Sequence, residues 1–515
     1  ANCERTCAEY GSASAPVTQS NLAQFHCYIY TMKYAILLLI AAIAFTVKGQ
    51  VQLGTDINGQ SVGENFGQSV SLSGDGAHLA VVGAPNNTGD SSGHVRVFEY
   101  NGMDWAQKGS DIDEASSARS VAISDDGSVI VIGSPGDSGA GQVRVFEFIG
   151  GVWTQLGSNI PGDAQYDNLG GSVSVSAGGD TIAVGAPRNG KTGHGYVRIY
   201  RYWLDNWWQV GEDIERVGPT ICNGADHFGS SVALSSDASR IAIGASRFDA
   251  PLWLCDAGLV CVYELIDGNW VQLGDDLFGD ETGNFFGYSL TLSGDGTRFA
   301  SALHGGNLSP PEGFTRVFEY DGASWSQIGP DILGEASFEY SGAGLSMSSS
   351  GDYLAIGAPQ NNGNGFSGHV KIWQQDGGNW LQNFDIDGEG PEDASGAEIS
   401  LSNDGRRVAI GAPGNDPSGH VRVYELRGVG IADTDANRKM LAHTITDDGH
   451  LIVHLPGTRG SVSMAITDVN GRLVTRKRLQ STERVETVLD MAPGVYFAEV
   501  TKRSEVLGSF KMVKR

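Results

Sequence analysis

The sequence predicts an all-β chain, a seven-bladed β-propeller closed by its N-terminal strand and followed by a small β-sandwich. Three observations predict it. A Gly-Ala-Pro element recurs at Gly83-Ala84-Pro85, Gly133-Ser134-Pro135, Gly185-Ala186-Pro187, Gly244-Ala245-Ser246, Gly357-Ala358-Pro359 and Gly411-Ala412-Pro413, with a degraded copy at Leu303-His304-Gly305. The spacing is roughly 50–60 residues, in the range of propeller blades. The seventh unit stops after Tyr424-Glu425 without its last strand, and a segment of matching pattern, Gln50-Val51-Gln52-Leu53-Gly54-Thr55-Asp56-Ile57, stands at the other end of the repeats.

Each unit reads as four short strands. In the first copy they are Phe66-Gly67-Gln68-Ser69-Val70-Ser71-Leu72, Leu79-Ala80-Val81-Val82-Gly83-Ala84-Pro85, Gly93-His94-Val95-Arg96-Val97-Phe98-Glu99-Tyr100 and Trp105-Ala106-Gln107-Lys108-Gly109-Ser110-Asp111-Ile112. Runs rich in Val, Leu and aromatic residues, punctuated by Gly, Asp and Asn, mark an antiparallel sheet. The fourth strand recurs as Trp153-Thr154-Gln155, Trp207-Trp208-Gln209, Trp270-Val271-Gln272, Trp325-Ser326-Gln327 and Trp380-Leu381-Gln382. An N-terminal strand through Gln50, Gln52 and Leu53 that completes the last sheet turns a row of blades into a ring, which removes exposed sheet edges. The propeller is therefore read as residues 50–427.

Phe66-Gly67, Phe228-Gly229 and Phe286-Gly287, set ahead of the Gly-Ala-Pro elements, resemble the FG-GAP repeats of integrin α-subunit propellers and their bacterial relatives. The motif weakens to Leu169-Gly170 and is lost at Ser117-Ala118. Integrin-type repeats often hold calcium in an Asp-rich loop between the first two strands. Here that connection is a tight turn, such as Ser73-Gly74-Asp75-Gly76. It is too short for the six to eight oxygens calcium takes, so no cofactor and no metal site is carried over.

The N-terminus precedes the repeats with two segments. Residues 1–31 lack periodicity, and Cys3, Cys7 and Cys27 match no metal spacing, so this stretch reads as upstream sequence outside the working protein. Met32-Lys33 and the apolar run Tyr34 to Val47 read as a signal peptide over 32–49, too short for a comfortable membrane span. Cleavage near Gly49 leaves Gln50 at the head of the closing strand.

Connections from first to second and third to fourth strands are tight; the other two are long and emerge on one face, where function on a rigid scaffold is expected. The fourth-to-first loops are acidic, and residues 51–429 carry 18 Lys and Arg against 48 Asp and Glu. Such a field disfavours nucleic acid and favours cationic partners or divalent ions, although a soluble secreted surface explains it as well. The candidate binding residues are Asp113, Glu114, Asp167, Asp226, Asp280, Glu281, Glu335, Glu339, Asp387, Glu392 and Asp393. The Asp of the Gly-x-Asp-Ile step (Asp56, Asp111, Asp213, Asp276, Asp331) recurs too regularly for a special site and is expected to bond loop N–H groups. The fourth-strand Trp is expected to pack between blades. His94, His369 and His420 share one position in neighbouring blades. Equivalent atoms there lie on the order of 15 Å apart, too far for a shared zinc, and a structural hydrogen bond is expected. The third-strand Arg (Arg96, Arg144, Arg198, Arg316, Arg422) is expected to bond between blades. Cys222 and Cys255 lie in the two long loops of blade four and are expected to pair in an exported protein, leaving Cys261 a buried thiol.

After Arg427 the pattern changes, through a linker at 428–442 to a domain at 443–515 with a net positive charge. Its Asp468-Val469-Asn470-Gly471-Arg472-Leu473-Val474, Pro493-Gly494-Val495-Tyr496-Phe497 and Lys511-Met512-Val513-Lys514-Arg515 resemble the C-terminal sorting domain of type IX secretion substrates. The resemblance implies export by that machinery, with Gly471, Arg472, Gly494, Tyr496, Lys511 and Lys514 in the signal. No nucleophile elbow, His-Glu-x-x-His, phosphate loop or Cys-x-x-Cys is present. The expected function is a secreted or cell-surface binding module, a monomer without a stable membrane span after cleavage, that recognises a protein or glycan through its long-loop face. The alternative is a secreted carbohydrate-active hydrolase or lyase with its site at the propeller axis.

Overall fold

The computed structural model describes residues 49–83, 93–113, 118–136, 139–188, 194–216, 226–251, 253–303, 313–360, 365–415 and 417–427 of the propeller. In the tail it describes the strands between 443 and 514. The expected leader up to Lys48, the upstream segment and the linker lie outside the described residues, as do Glu114, Cys222, Gly471 and Arg472.

The chain divides between Arg427 and Gly428. Ahead of that point the described residues contain strands and no helix, arranged as seven sheets. In the first blade Ser69–Leu72, His78–Gly83, His94–Tyr100 and Trp105–Gln107 pair in sequence order, all antiparallel. The first strand of every blade is innermost, and neighbouring inner strands pack in turn around the axis, with Glu398–Leu401 returning to Ser69–Leu72. Alternate inner-strand hydroxyls join the blades. Ser400 Oγ accepts the Leu72 N–H at 2.9 Å, Ser71 Oγ the Ile123 N–H at 3.2 Å, and Ser346 Oγ the Leu401 N–H at 2.9 Å. This is why Ser recurs among the Val and Leu of these strands.

The fourth strand has a feature the sequence pattern did not show. In six of the seven sheets it breaks at a bulge and resumes as a two-residue stub, such as Ile112–Asp113, that pairs with the third strand again. The bulge carries the Gly-x-Asp step. Its Asp accepts the Gln side chain of the same strand, at 2.7 Å for Gln52–Asp56, 2.6 Å for Gln107–Asp111 and 2.7 Å for Gln327–Asp331. The repeated carboxylate thus satisfies a side-chain amide rather than the loop N–H groups expected of it.

The bulge glycine also seats the next blade. Gly274 has φ +77°, and a Cβ there would lie 2.7 Å from Trp325 Cδ1. Trp325 Nε1 donates to Leu273 O at 2.8 Å, and its ring meets Phe299 edge-on at 5.0 Å. The other fourth-strand Trp residues repeat this bond to the preceding blade; Trp105 makes it to Leu53 O at 2.9 Å. These residues pack between blades, as expected.

Strand Gly49–Gln52 pairs antiparallel with His420–Arg427, Gln52 opposite Tyr424, and Leu53 N–H donates to Val423 O at 2.8 Å. Leu53 and Ile57 join Phe66, Leu79, Val81, Trp105, Val421 and Val423 in one apolar cluster between the first and seventh blades.

In the tail, His443–Ile445, His450–Thr467, Leu473–Val488, Gly494–Lys502 and Glu505–Lys514 form one five-stranded sheet. The Pro456-Gly457 step shifts register between His454 and Arg459 without ending the pairing of the two long strands. Tyr496 lies opposite Met512, Phe497 opposite Lys511 and Gly494 opposite Lys514.

Candidate functional site: the channel mouth

The described starts of the inner strands line one end of the axial channel. A cavity of about 860 Å³ opens there. Its wall is built by position. The residue directly after the Phe-Gly step lines it in all seven blades, as Gln68, Arg119, Gly171, Ser230, Tyr288, Ala343 and Ala397. Phe-Gly itself faces away. Phe66, Phe228 and Phe286 are fully buried, and Gly67, Gly229 and Gly287 have φ between +81° and +95°, which turns the chain into the inner strand.

Arg188, His227, Tyr340, Gln360 and Glu398 complete the polar lining. Burial, with Arg247 and Arg188 nearby, pulls the His227 imidazole down to about 4, so it is neutral at pH 7. Glu398 sits at the wall with some water access but with protein on every side, and the lost solvation pushes its carboxyl up to about 8. It is therefore mostly protonated at pH 7. Among the described lining residues Glu398 is the one carboxyl group, against Arg119 and Arg188. The described lining thus carries more positive than negative charge, opposite in sign to the field the composition suggests for this face.

The expected acidic binding residues separate into three groups. Asp167, Asp226, Glu339 and Asp393 are buried, the first and the last two turning into their own loops and Asp226 meeting His194. Asp167 Oδ2 accepts N–H bonds from Asp163 and Ala164 at 3.0 and 2.9 Å and the Tyr196 hydroxyl at 3.1 Å. Glu339 accepts N–H groups from Glu335 and Ala336, Asp393 those of Glu389 and Gly390, and Asp226 lies 2.6 Å from His194 Nδ1. These four cannot meet a ligand at the surface, because burial is the condition of the loop fold they hold. Glu64, not singled out from the sequence, belongs with them. It is fully buried, accepts the Gln60 and Ser61 N–H groups, and lies 2.8 Å from His94 Nε2 and 3.1 Å from Arg96 Nη2.

A second group is paired with cations of the third strand. Asp280 binds Arg316, and Glu335 binds Lys371. Arg198 bridges Asp163 and Asp213, and Arg422 reaches Glu389 at 3.3 Å. In blades one, three, five, six and seven the third-strand cation thus ties the blade to the loop arriving from the blade before. The third group, Glu281, Asp387 and Glu392, is exposed, and Asp113 lies in the stub opposite His94.

Cys255 is disulfide-bonded, while Cys261 is a buried free thiol whose burial pushes its pKa up to about 12. The hairpin turns use their own carboxylates. Asp75 Oδ1 accepts the Ser73 hydroxyl at 2.5 Å and the Ala77 N–H at 2.8 Å.

Fold and site together define a seven-bladed β-propeller whose described channel lining is polar and includes two arginines. No protein-family model matches the chain, and no curated protein matches it. Among solved structures it is similar to hydrazine synthase of Kuenenia stuttgartiensis, at 13% identity over 72% of this chain and 97% of that chain, with a TM-score of 0.48. That likeness is one of fold, and no chemistry is taken from it.

Proposed function

We propose that the protein is a binding propeller that takes an acidic glycan, a chain bearing carboxylate or sulfate groups, at the channel mouth. The observation that carries this reading is the placement of Arg119 and Arg188 on a hydroxyl-rich wall that also holds the exposed Tyr288. Guanidinium forks match planar or tetrahedral anions, and an exposed aromatic offers an apolar face with a polar edge. The protonated Glu398 adds a donor where a carboxylate would repel the ligand. Glycoside hydrolysis requires two carboxyl groups about 5–10 Å apart. The described wall offers one, which favours binding over the hydrolase reading.

The same proposal covers the rest of the chain. The repeats are read as FG-GAP type, the N-terminal strand as the clasp freed by leader cleavage, and the tail as a sandwich-type sorting domain read by type IX machinery. The Cys255 disulfide supports an oxidising destination, at the cell surface or outside it.

The test is an array of neutral, uronate-bearing and sulfated glycans, followed by titration calorimetry with wild type, Arg119→Ala, Arg188→Ala and the loop control Glu281→Ala. Acidic glycans bind wild type, and each arginine variant loses affinity about 10–100-fold, the range of a charge-assisted hydrogen bond. Equal binding of neutral glycans, or unchanged affinity in both arginine variants, overturns the assignment.

A further inference from the structure

We propose that Asp56, Glu389 and His420 form a binding site for one divalent transition metal, of the zinc class, where the N-terminal segment meets the seventh blade. One ring nitrogen of His420 and one carboxylate oxygen from each acid lie within 4.8 Å of one another. Donors around a tetrahedral zinc stand about 3.4 Å apart, from bond lengths near 2.1 Å, so small side-chain rotations close the set.

A second observation points to a ligand. His420 is 1% exposed, and its Nε2 has no hydrogen-bond partner. A buried polar nitrogen without a bond is costly and rare. In the first blade the matching ring lies against a carboxylate instead, with His94 Nε2 2.8 Å from Glu64 Oε1. In the seventh blade the residue matching Glu64 is Asp393, one methylene shorter. It is engaged by the Glu389 and Gly390 N–H groups and by Asn415 Nδ2 at 3.0 Å. The His420 ring is left over.

The donor chemistry selects the ion. Imidazole with two carboxylates suits zinc and its neighbours, whereas calcium and magnesium take oxygen ligands. Two carboxylates balance the charge of the ion. Gln52 Nε2 holds Asp56 at 2.7 Å, and Arg422 Nη1 lies 3.3 Å from Glu389, so both carboxylates are already oriented. The group formed by His369, Asp385 and Asp387 has similar spacing, but His369 is already engaged in another interaction. Because Asp56 comes from the N-terminal segment and His420 and Glu389 from the far end of the repeats, an ion here fastens the ring.

The full chain, stripped with a chelator, is titrated with zinc by calorimetry, and amide exchange is followed in Gly49–Gln52. Wild type binds one equivalent more than Asp56→Asn or His420→Gln. With free zinc at 100 times Kd, opening of that strand slows about 100-fold, while Phe228–Leu234 across the ring keeps its rate. Asp56→Asn keeps the shape of the site and abolishes the effect even if His420→Gln fails to fold. Equal zinc stoichiometry in wild type and Asp56→Asn, or exchange in Gly49–Gln52 indifferent to zinc, overturns the proposal.

Discussion

Glu64→Ala is the substitution that separates a structural carboxylate from a surface one. Glu64 is fully buried, and its two oxygens serve two N–H groups, His94 and Arg96. Removing it leaves the Arg96 guanidinium, 4.1 Å above the Phe66 ring and 4% exposed, without its counter-charge and with the Asn58 carbonyl as its remaining acceptor. Breaking a buried pair by deleting one partner costs about 3–5 kcal/mol. A shift of roughly 2 °C per kcal/mol, the low end for a large domain, gives a Tm fall of about 6–10 °C. The pH dependence follows from the same contacts. Desolvation raises the Glu64 pKa, but the bonds from His94, Ser61 and Gln60 and the Arg96 charge outweigh it and hold it below 4.5. A depressed carboxyl stabilises the fold above its unfolded value and loses that contribution as pH falls through the folded one. The Tm gap between wild type and Glu64→Ala therefore narrows below about pH 4.5. Calorimetric scans from pH 3 to 8, with Glu281→Ala as the exposed control within about 0.5 kcal/mol of wild type, measure both. A Glu64→Ala Tm within 1–2 °C of wild type at pH 7 would refute the staple reading.

Other outcomes follow from the same contacts. Trp325→Ala removes a buried indole and its bond to Leu273 O, and denaturant unfolding should show a loss of about 3–5 kcal/mol. Gly274→Ala forces a Cβ toward Trp325 at positive φ and should cost roughly 2–4 kcal/mol by the same assay, from left-handed strain plus overpacking. The raised pKa of Glu398 means that the folded chain keeps a proton the unfolded chain releases above about 4.5. Stability should decline from about pH 4.5 to 8 and level off beyond, and Glu398→Gln should remove that slope in urea titrations at pH 5, 7 and 9. Non-reducing peptide mapping should place Cys222 with Cys255; finding Cys222 as a free thiol contradicts that pairing.

Blade number, strand order and the roles of Trp105 to Trp380 are legible in the sequence because each repeats at a fixed offset from Phe-Gly. The acidic residues were harder. A carboxylate that bends into its own loop and one that faces solvent have the same composition, so Asp167, Asp226, Glu339 and Asp393 read as surface. The signal that separates them is register. Glu64, Asp167, Asp226, Asn284, Glu339 and Asp393 all stand two residues before the Phe-Gly position, and a residue type kept at one offset in a repeat marks a shared fold role. The channel wall is the converse case. The position after Phe-Gly varies as Gln68, Arg119, Ser230 and Tyr288, which the pattern of conserved strands hides. The bulge that breaks the fourth strand was not legible, because Gly-x-Asp-Ile reads as a turn until Ile112 is seen to pair again with Val95.

The account rests on a strand from the start of the repeats lying beside the last strand of the seventh blade. Val51 and Glu425 stand opposite each other in that pair, and both side chains are partly exposed. Their Cα separation should be about 5.5 Å, within disulfide range. In the full chain, Val51→Cys with Glu425→Cys should form a cross-link under mild oxidation, found by peptide mapping, and should slow exchange in Gly49–Gln52. Two free thiols after oxidation, with β-structure intact, would contradict the closed ring.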